Sequence, residues 1–143
     1  MSGIRGRDTK PEVELRKALF ARGFRYRLHE ETLPGKPDLV FPRHRAVVFV
    51  HGCFWHGHDC QLFRIPATRT DFWRAKIAGN RERDERMRHQ LDKGGWRVGI
   101  VWECSLKGTG RIGLNAVADQ AAAWLLGNDS TLNIRGTTGN ADR

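Results

Sequence analysis

Pro37-Asp38-Leu39-Val40-Phe41-Pro42-Arg43-His44-Arg45-Ala46-Val47-Val48-Phe49-Val50-His51 is the stretch whose reading decides the fold. Residues 38–41 and 46–50 are short runs rich in aliphatic, β-branched and aromatic side chains, and a proline opens the segment between them. The two runs read as a β-hairpin. A loop over residues 42–45 sets Asp38 opposite Phe49, so a carboxylate and His51 arrive at the same end of a sheet.

Working outward, residues 24–28 alternate apolar with arginine as a half-buried strand does, and Pro34-Gly35 marks a turn. Ahead of them Thr9, Pro11 and Glu12 form a capping-box pattern. Val13, Leu15, Leu19 and Phe20 give the helix that follows its apolar face, and Gly23 ends it. Beyond the hairpin, residues 71–91 predict a charged helix with Thr70 as its cap, Trp73, Ile77, Met87 and Leu91 as a sparse apolar stripe, and Gly94-Gly95 as its stop. Residues 96–102 predict a buried strand. Residues 113–126 predict a last helix with Leu114, Val117, Ala121, Trp124 and Leu125 inward, and Trp96, Trp102 and Trp124 are assigned to the core. The order α-β-β-β-α-β-α makes this an α/β chain with a central mixed β-sheet flanked by helices. One domain is expected over residues 1–126, with 1–8 as a basic arm and the Gly-, Asn-, Thr- and Ser-rich residues 127–143 as a flexible tail.

The 143 residues carry a formal net charge of +9, a field that favours a polyanion. No apolar run approaches the roughly 18 residues of a membrane span, and the first residues lack a signal-peptide core. A soluble protein in a reducing compartment is expected. Three cysteines cannot all pair within the chain, so metal ligation is the better reading of them.

His51-Gly52-Cys53-Phe54-Trp55-His56-Gly57-His58-Asp59-Cys60 concentrates imidazoles and thiols just past the hairpin. Cys53, His58 and Cys60, joined by Cys104 after the next strand, make a Cys-His-Cys-Cys set that suits tetrahedral zinc; four protein ligands imply a structural ion. Buried apolar cysteines are the plainer alternative. His51 and His56 are left over. With Asp38 nearby as a hard ligand for Mg²⁺, one imidazole can deprotonate water and another, protonated, can hydrogen-bond a phosphate. Glu12 is either a cap or a further carboxylate for that site. Phe54, Trp55 and Trp73 are candidates to wedge between bases. The charged helix, with Arg74, Lys76, Arg81, Arg83, Arg86 and Arg88 among Glu82, Asp84 and Glu85, is either a nucleic-acid face or a solvated one.

Leu33-Pro34-Gly35-Lys36-Pro37-Asp38, His51-Gly52-Cys53-Phe54-Trp55-His56, Cys60, Pro66-Ala67-Thr68-Arg69-Thr70 with Phe72-Trp73, and Trp96-Arg97-Val98 through Val101-Trp102-Glu103-Cys104 together resemble the Vsr very-short-patch-repair endonucleases. The resemblance runs from about Gly6 to Trp124. It implies a restriction-endonuclease-like fold in which a histidine, here His51 in Phe49-Val50-His51, replaces part of the superfamily's Glu-x-Lys. It implies a Mg²⁺-dependent endonuclease that nicks one DNA strand 5′ of the thymine in a T:G mismatch left by deamination of 5-methylcytosine. Asp38 and the backbone carbonyl of Val50 would bind Mg²⁺, His56 would be the general base, His51 would contact the scissile phosphate, and Glu12 would support the site. Asp84 would orient the catalytic histidine. Cys53, His58, Cys60 and Cys104 would hold structural Zn²⁺, and Phe54, Trp55 and Trp73 would intercalate. Partners implied are mismatched double-stranded DNA and mismatch-repair proteins such as MutL, with no membrane, for a monomer in the bacterial cytoplasm at the nucleoid.

Two departures from the family pattern stand out. Val50 occupies a position where the best-studied member has Thr, a change that a carbonyl ligand tolerates. Residues 1–8, with Met1 and Ile4, read as the remnant of a DNA-gripping N-terminal arm, which predicts weaker grip or specificity. The competing expectations are a Vsr-like nickase with altered or lost mismatch specificity and a zinc-stabilised DNA-binding module without hydrolysis.

Overall fold

The computed structural model describes residues 9–60 and 63–137, so the expected arm at residues 1–8 lies outside the described part. Helix α1 (Lys10–Ala21) leads into β1 (Arg27–Leu28), β2 (Leu39–Phe41) and β3 (Ala46–His51). Helix α2 (Thr70–Lys93), strand β4 (Arg97–Trp102), helix α3 (Leu114–Leu126) and strand β5 (Thr131–Ile134) follow. The five strands form one sheet in sequence order, antiparallel through β1, β2 and β3 and parallel through β3, β4 and β5.

The hairpin has the register that a loop over residues 42–45 dictates. Leu39 faces Val48 and Phe41 faces Ala46, which brings Asp38 level with Phe49. Pro42–His44 form a 3₁₀ turn, and Arg45 closes it with φ 51°. Alternation along β3 then sorts side chains to two layers. Ala46 and Val48 join Leu15, Leu19, Val117, Ala121 and Leu125 beneath α1 and α3, whereas Val47 packs with Val40, Val98 and Leu91 of α2 on the other face. Burial on both faces explains the nearly unbroken apolar runs of β2 and β3.

Thr9 caps α1, its Oγ1 accepting from the Glu12 N–H at 3.4 Å. Phe20, expected on the buried face, is 51 % exposed and lies against Tyr26 with the Arg25 guanidinium over its ring. Only Arg27 and Leu28 of the expected strand at residues 24–28 pair with β2, although Phe24 and Tyr26 still pack on Phe41. Thr70 does not cap α2 as an acceptor. Its hydroxyl instead donates back to the carbonyls of Pro66 and Ala67, and Arg69 with φ 55° takes the N-cap position.

The largest departure is at the C-terminus. Residues 131–134, assigned by composition to a flexible tail, form β5 along the outer side of β4, with Ile134 buried in the core. Without that strand β4 would present an open edge, and the alternating Leu132 and Ile134 supply the pairing strand's inward side chains. Gly136 N–H and Thr137 N–H then donate to Cys104 Sγ and Gly110 O. The residues from 138 onward are outside the described part. Among the described residues no helix is long and apolar enough to cross a membrane.

Candidate active site and metal centre

β3 ends at His51, and the loop after it folds back so that the His51 and His56 rings stack with centroids 3.7 Å apart and planes 3° from parallel. The fold-back depends on Gly57, whose φ is 63° and where a Cβ would come within 2.6 Å of Ile77 on α2. α2 answers with Asp84, whose Oδ2 lies 2.5 Å from His56 Nδ1, and with Asn80, which donates to the Trp55 carbonyl at 2.8 Å. Burial, then the nearby His56, Arg88 and His58, push His51 well below the ordinary imidazole range. Burial thus favours the neutral form of His51 in the free protein, where the sequence leaves open which imidazole is protonated. Its Nδ1 is buried without a hydrogen-bond partner among the described residues.

Asp38 is 9 % exposed, and its Oδ2 accepts from the Val50 N–H at 2.7 Å. It lines a cleft of about 600 Å³ together with His51, His56, Asp84, Arg81 and Lys36. Glu12, 1 % exposed in the first turn of α1, lines an adjoining cleft that also reaches His51, His56 and Asp84. A pocketed carboxylate offers the hard oxygen donors that a magnesium ion takes along with phosphate and water. His29 completes the neighbourhood: its Nε2 is 3.0 Å from Glu12 Oε2 and its Nδ1 3.8 Å from Asp38 Oδ1. Sequence reading missed it, and its only signal was the β1–β2 pairing that carries residue 29 to residue 38.

Behind the imidazoles lies the sulfur site. One ligand-capable atom from each of Cys53, His58, Cys60 and Cys104 falls within 4.8 Å of the others. His58 Nδ1 is 3.5 Å from both Cys53 Sγ and Cys104 Sγ. A tetrahedral zinc with ordinary Zn–S and Zn–N bonds spaces such donors by about 3.6 Å, so the set fits that ion. Burial is the main cause that raises the Cys53 and Cys104 thiols above the ordinary range, and a bound divalent cation would favour their thiolates instead. Trp102 corrects a core assignment. It is only half-buried, stacks on His58 at 4.0 Å and meets His51 in an edge contact at 5.2 Å, which puts it between the Cys/His set and the stacked His51 and His56.

Phe54, Trp55 and Trp73 form a half-buried cluster with centroids 5.0–5.9 Å apart, and Phe63 and Phe72 extend it. None of the five is in the buried core. Arg69 covers the Phe72 ring.

The sequence profile described as DNA mismatch endonuclease Vsr matches residues 1–62. DNA mismatch endonuclease Vsr of Escherichia coli strain K12 is 44 % identical over 134 residues, covering 94 % of this chain and 86 % of that protein. The chain belongs to the Vsr family. It is therefore a DNA mismatch endonuclease. The type II nicking enzyme V.XorIIP of Xanthomonas oryzae pv. oryzae is 48 % identical over 112 residues, 78 % of this chain and 82 % of that one. The type II nicking enzyme V.NmeAIP of Neisseria meningitidis is 50 % identical over 107 residues, 75 % and 76 %. In this Vsr-family chain the carboxylates, imidazoles and thiols that the sequence singled out lie in three groups: Asp38 with Glu12, His51 and His56 with Asp84, and the Cys/His set.

Proposed function

We propose that the chain nicks one DNA strand 5′ of the thymine in a T:G mismatch, the lesion left by deamination of 5-methylcytosine, in very short patch repair. The observation that carries this reading is the Asp84–His56–His51 arrangement opening onto the cleft that Asp38 lines. With Nδ1–H donating to Asp84, His56 keeps its lone pair on Nε2, where it takes a proton from the attacking water. His51, buried and stacked on His56, donates an N–H to the scissile phosphate. Asp38 and the Val50 carbonyl would hold Mg²⁺, with Glu12 beside them. Bound there, the ion supplies charge stabilisation at the phosphate and leaving oxygens.

Cys53, His58, Cys60 and Cys104 would hold Zn²⁺ as a brace with no part in the chemistry. Phe54, Trp55 and Trp73 wedge beside the mismatch, and the half-exposed position of their cluster supports this. The scaffold is the restriction-endonuclease-like arrangement that family membership implies. A monomer at the bacterial nucleoid, with mismatch-repair proteins such as MutL as further partners, belongs to the same reading.

End-labelled T:G and matched duplexes incubated with Mg²⁺ or EDTA test it. Nicking is expected only for T:G with Mg²⁺, and His56→Ala should slow it by about 10²–10⁴-fold without loss of duplex binding. Binding without cleavage of either duplex would overturn the proposal. Cleavage that survives Asp38→Ala and His56→Ala together would remove the site assignment.

A further inference from the structure

His29 follows β1 in the left-handed region at φ 50°, a conformation uncommon outside glycine and a strained one for most side chains. Its N–H donates to the Asp38 carbonyl at 3.1 Å, which extends the β1–β2 pairing by one residue and fixes the ring against the two carboxylates. The side chain is 12 % exposed, with one ring nitrogen toward Glu12 and the other toward Asp38. Ligand-capable atoms of the three residues all lie within 4.8 Å of one another.

Two buried carboxylates this close repel when both are ionised. One comes from α1 and the other from the start of β2, so nothing in the local chain brings them together. Arg16 Nη1 lies 3.4 Å from Glu12 Oε2, and His29 Nε2 lies 3.0 Å from it. Glu12 and Asp38 line the two clefts, and His29 lines neither. Its ring meets the clefts through the two carboxylates. We propose that His29 is a positioning residue that holds Glu12 and Asp38 together as a paired carboxylate seat for one divalent cation. This rests on the reading of Asp38 as the cation-binding carboxylate. With Nε2–H donating to Glu12, the imidazole fixes one Glu12 oxygen, while the His29 backbone N–H holds residue 38 through its carbonyl.

Mn²⁺ is the probe, titrated into the zinc-loaded protein without DNA, with free Mn²⁺ read by electron paramagnetic resonance. His29→Leu should weaken Mn²⁺ binding about 10–100-fold, the cost typical of losing a group that orients a metal ligand. His29→Gln, which keeps an N–H donor, should restore most of that loss. In nicking assays His29→Leu should raise the half-saturating Mg²⁺ concentration and leave the rate at saturating Mg²⁺ nearly unchanged. Glu12→Gln gives an independent route: the double variant with His29→Leu should bind Mn²⁺ no more weakly than the worse single variant, because the two residues act as a unit.

Wild-type Mn²⁺ affinity in a folded His29→Leu, a His29→Gln no better than His29→Leu, or additive losses in the double variant would each overturn the proposal. Asp38→Asn separates the two levels. If it abolishes Mn²⁺ binding while His29→Leu leaves binding intact, only the role of His29 fails. If Asp38→Asn leaves Mn²⁺ binding intact, the Asp38 reading fails and the role of His29 with it.

Discussion

Asp84 sits on α2, and the imidazole it holds is in the loop after β3. That contact sets both the tautomer and the aim of His56, so removing its charge should harm rate more than binding. Asp84→Asn is expected to slow nicking by about 10²-fold, the loss that a small misplacement of a catalytic group brings, with duplex affinity unchanged. Single-turnover rates beside gel-shift affinities check this; a matching loss in both would assign Asp84 to DNA binding instead. His56 and Asp84 were both legible from the resemblance. His29 was not, because its partners are distant along the chain and only backbone pairing brings them close. Trp102 was misplaced for a related reason: an aromatic at the end of an apolar strand has the pattern of core, and only the loop carrying His58 turns its ring into a partition.

At the level of elements, β5 changes what the C-terminus does. Arg135 bonds Asp59 through Nη1 to Oδ1 at 2.7 Å and through Nη2 to the carbonyl at 2.9 Å, while Asn133 accepts from the Trp102 indole at 2.7 Å. The strand thus clamps the loop that holds His58 and Cys60. Gly136 donates its N–H to Cys104 Sγ, and a Cβ there would come within 2.2 Å of the Cys104 carbonyl oxygen. Gly136→Ala should therefore cost about 1–3 kcal/mol by overpacking and speed metal release to a chromogenic chelator. Unchanged thermal melting and unchanged release would show that the clamp is dispensable. Composition suggested a loose tail because Gly, Asn, Thr and Ser dominate residues 127–143. Four alternating residues beside an open strand edge were enough to decide otherwise.

For the whole molecule the field matters more than any one pair. The net charge is +9, and Arg74, Lys76, Arg81, Arg83, Arg86 and Arg88 of α2 are all exposed, with Arg81 and Arg88 lining one cleft and Lys76 and Arg83 the other. Some of this is balanced locally, as Arg88 is by Glu85 at 2.7 Å. Duplex affinity should fall steeply with salt, with a log–log slope near −0.9 for each phosphate neutralised. Fluorescence anisotropy between roughly 50 and 200 mM salt is expected to show at least about a tenfold loss. A flat dependence would mean that the basic face is solvated and that the aromatic cluster carries binding.

The sequence by itself determined the hairpin and its register and the helices, and it named the candidate residues for the site. It could do so because loop length, side-chain alternation and capping are local, and because the motif residues are dense in one loop. Tertiary structure alone decided that β5 completes the sheet, that His51 is buried, that Trp102 lies between the Cys/His set and the stacked His51 and His56, and that His29 joins Glu12 to Asp38. Each of these depends on which distant surface comes to lie against a side chain, and that is set only when the sheet and helices pack.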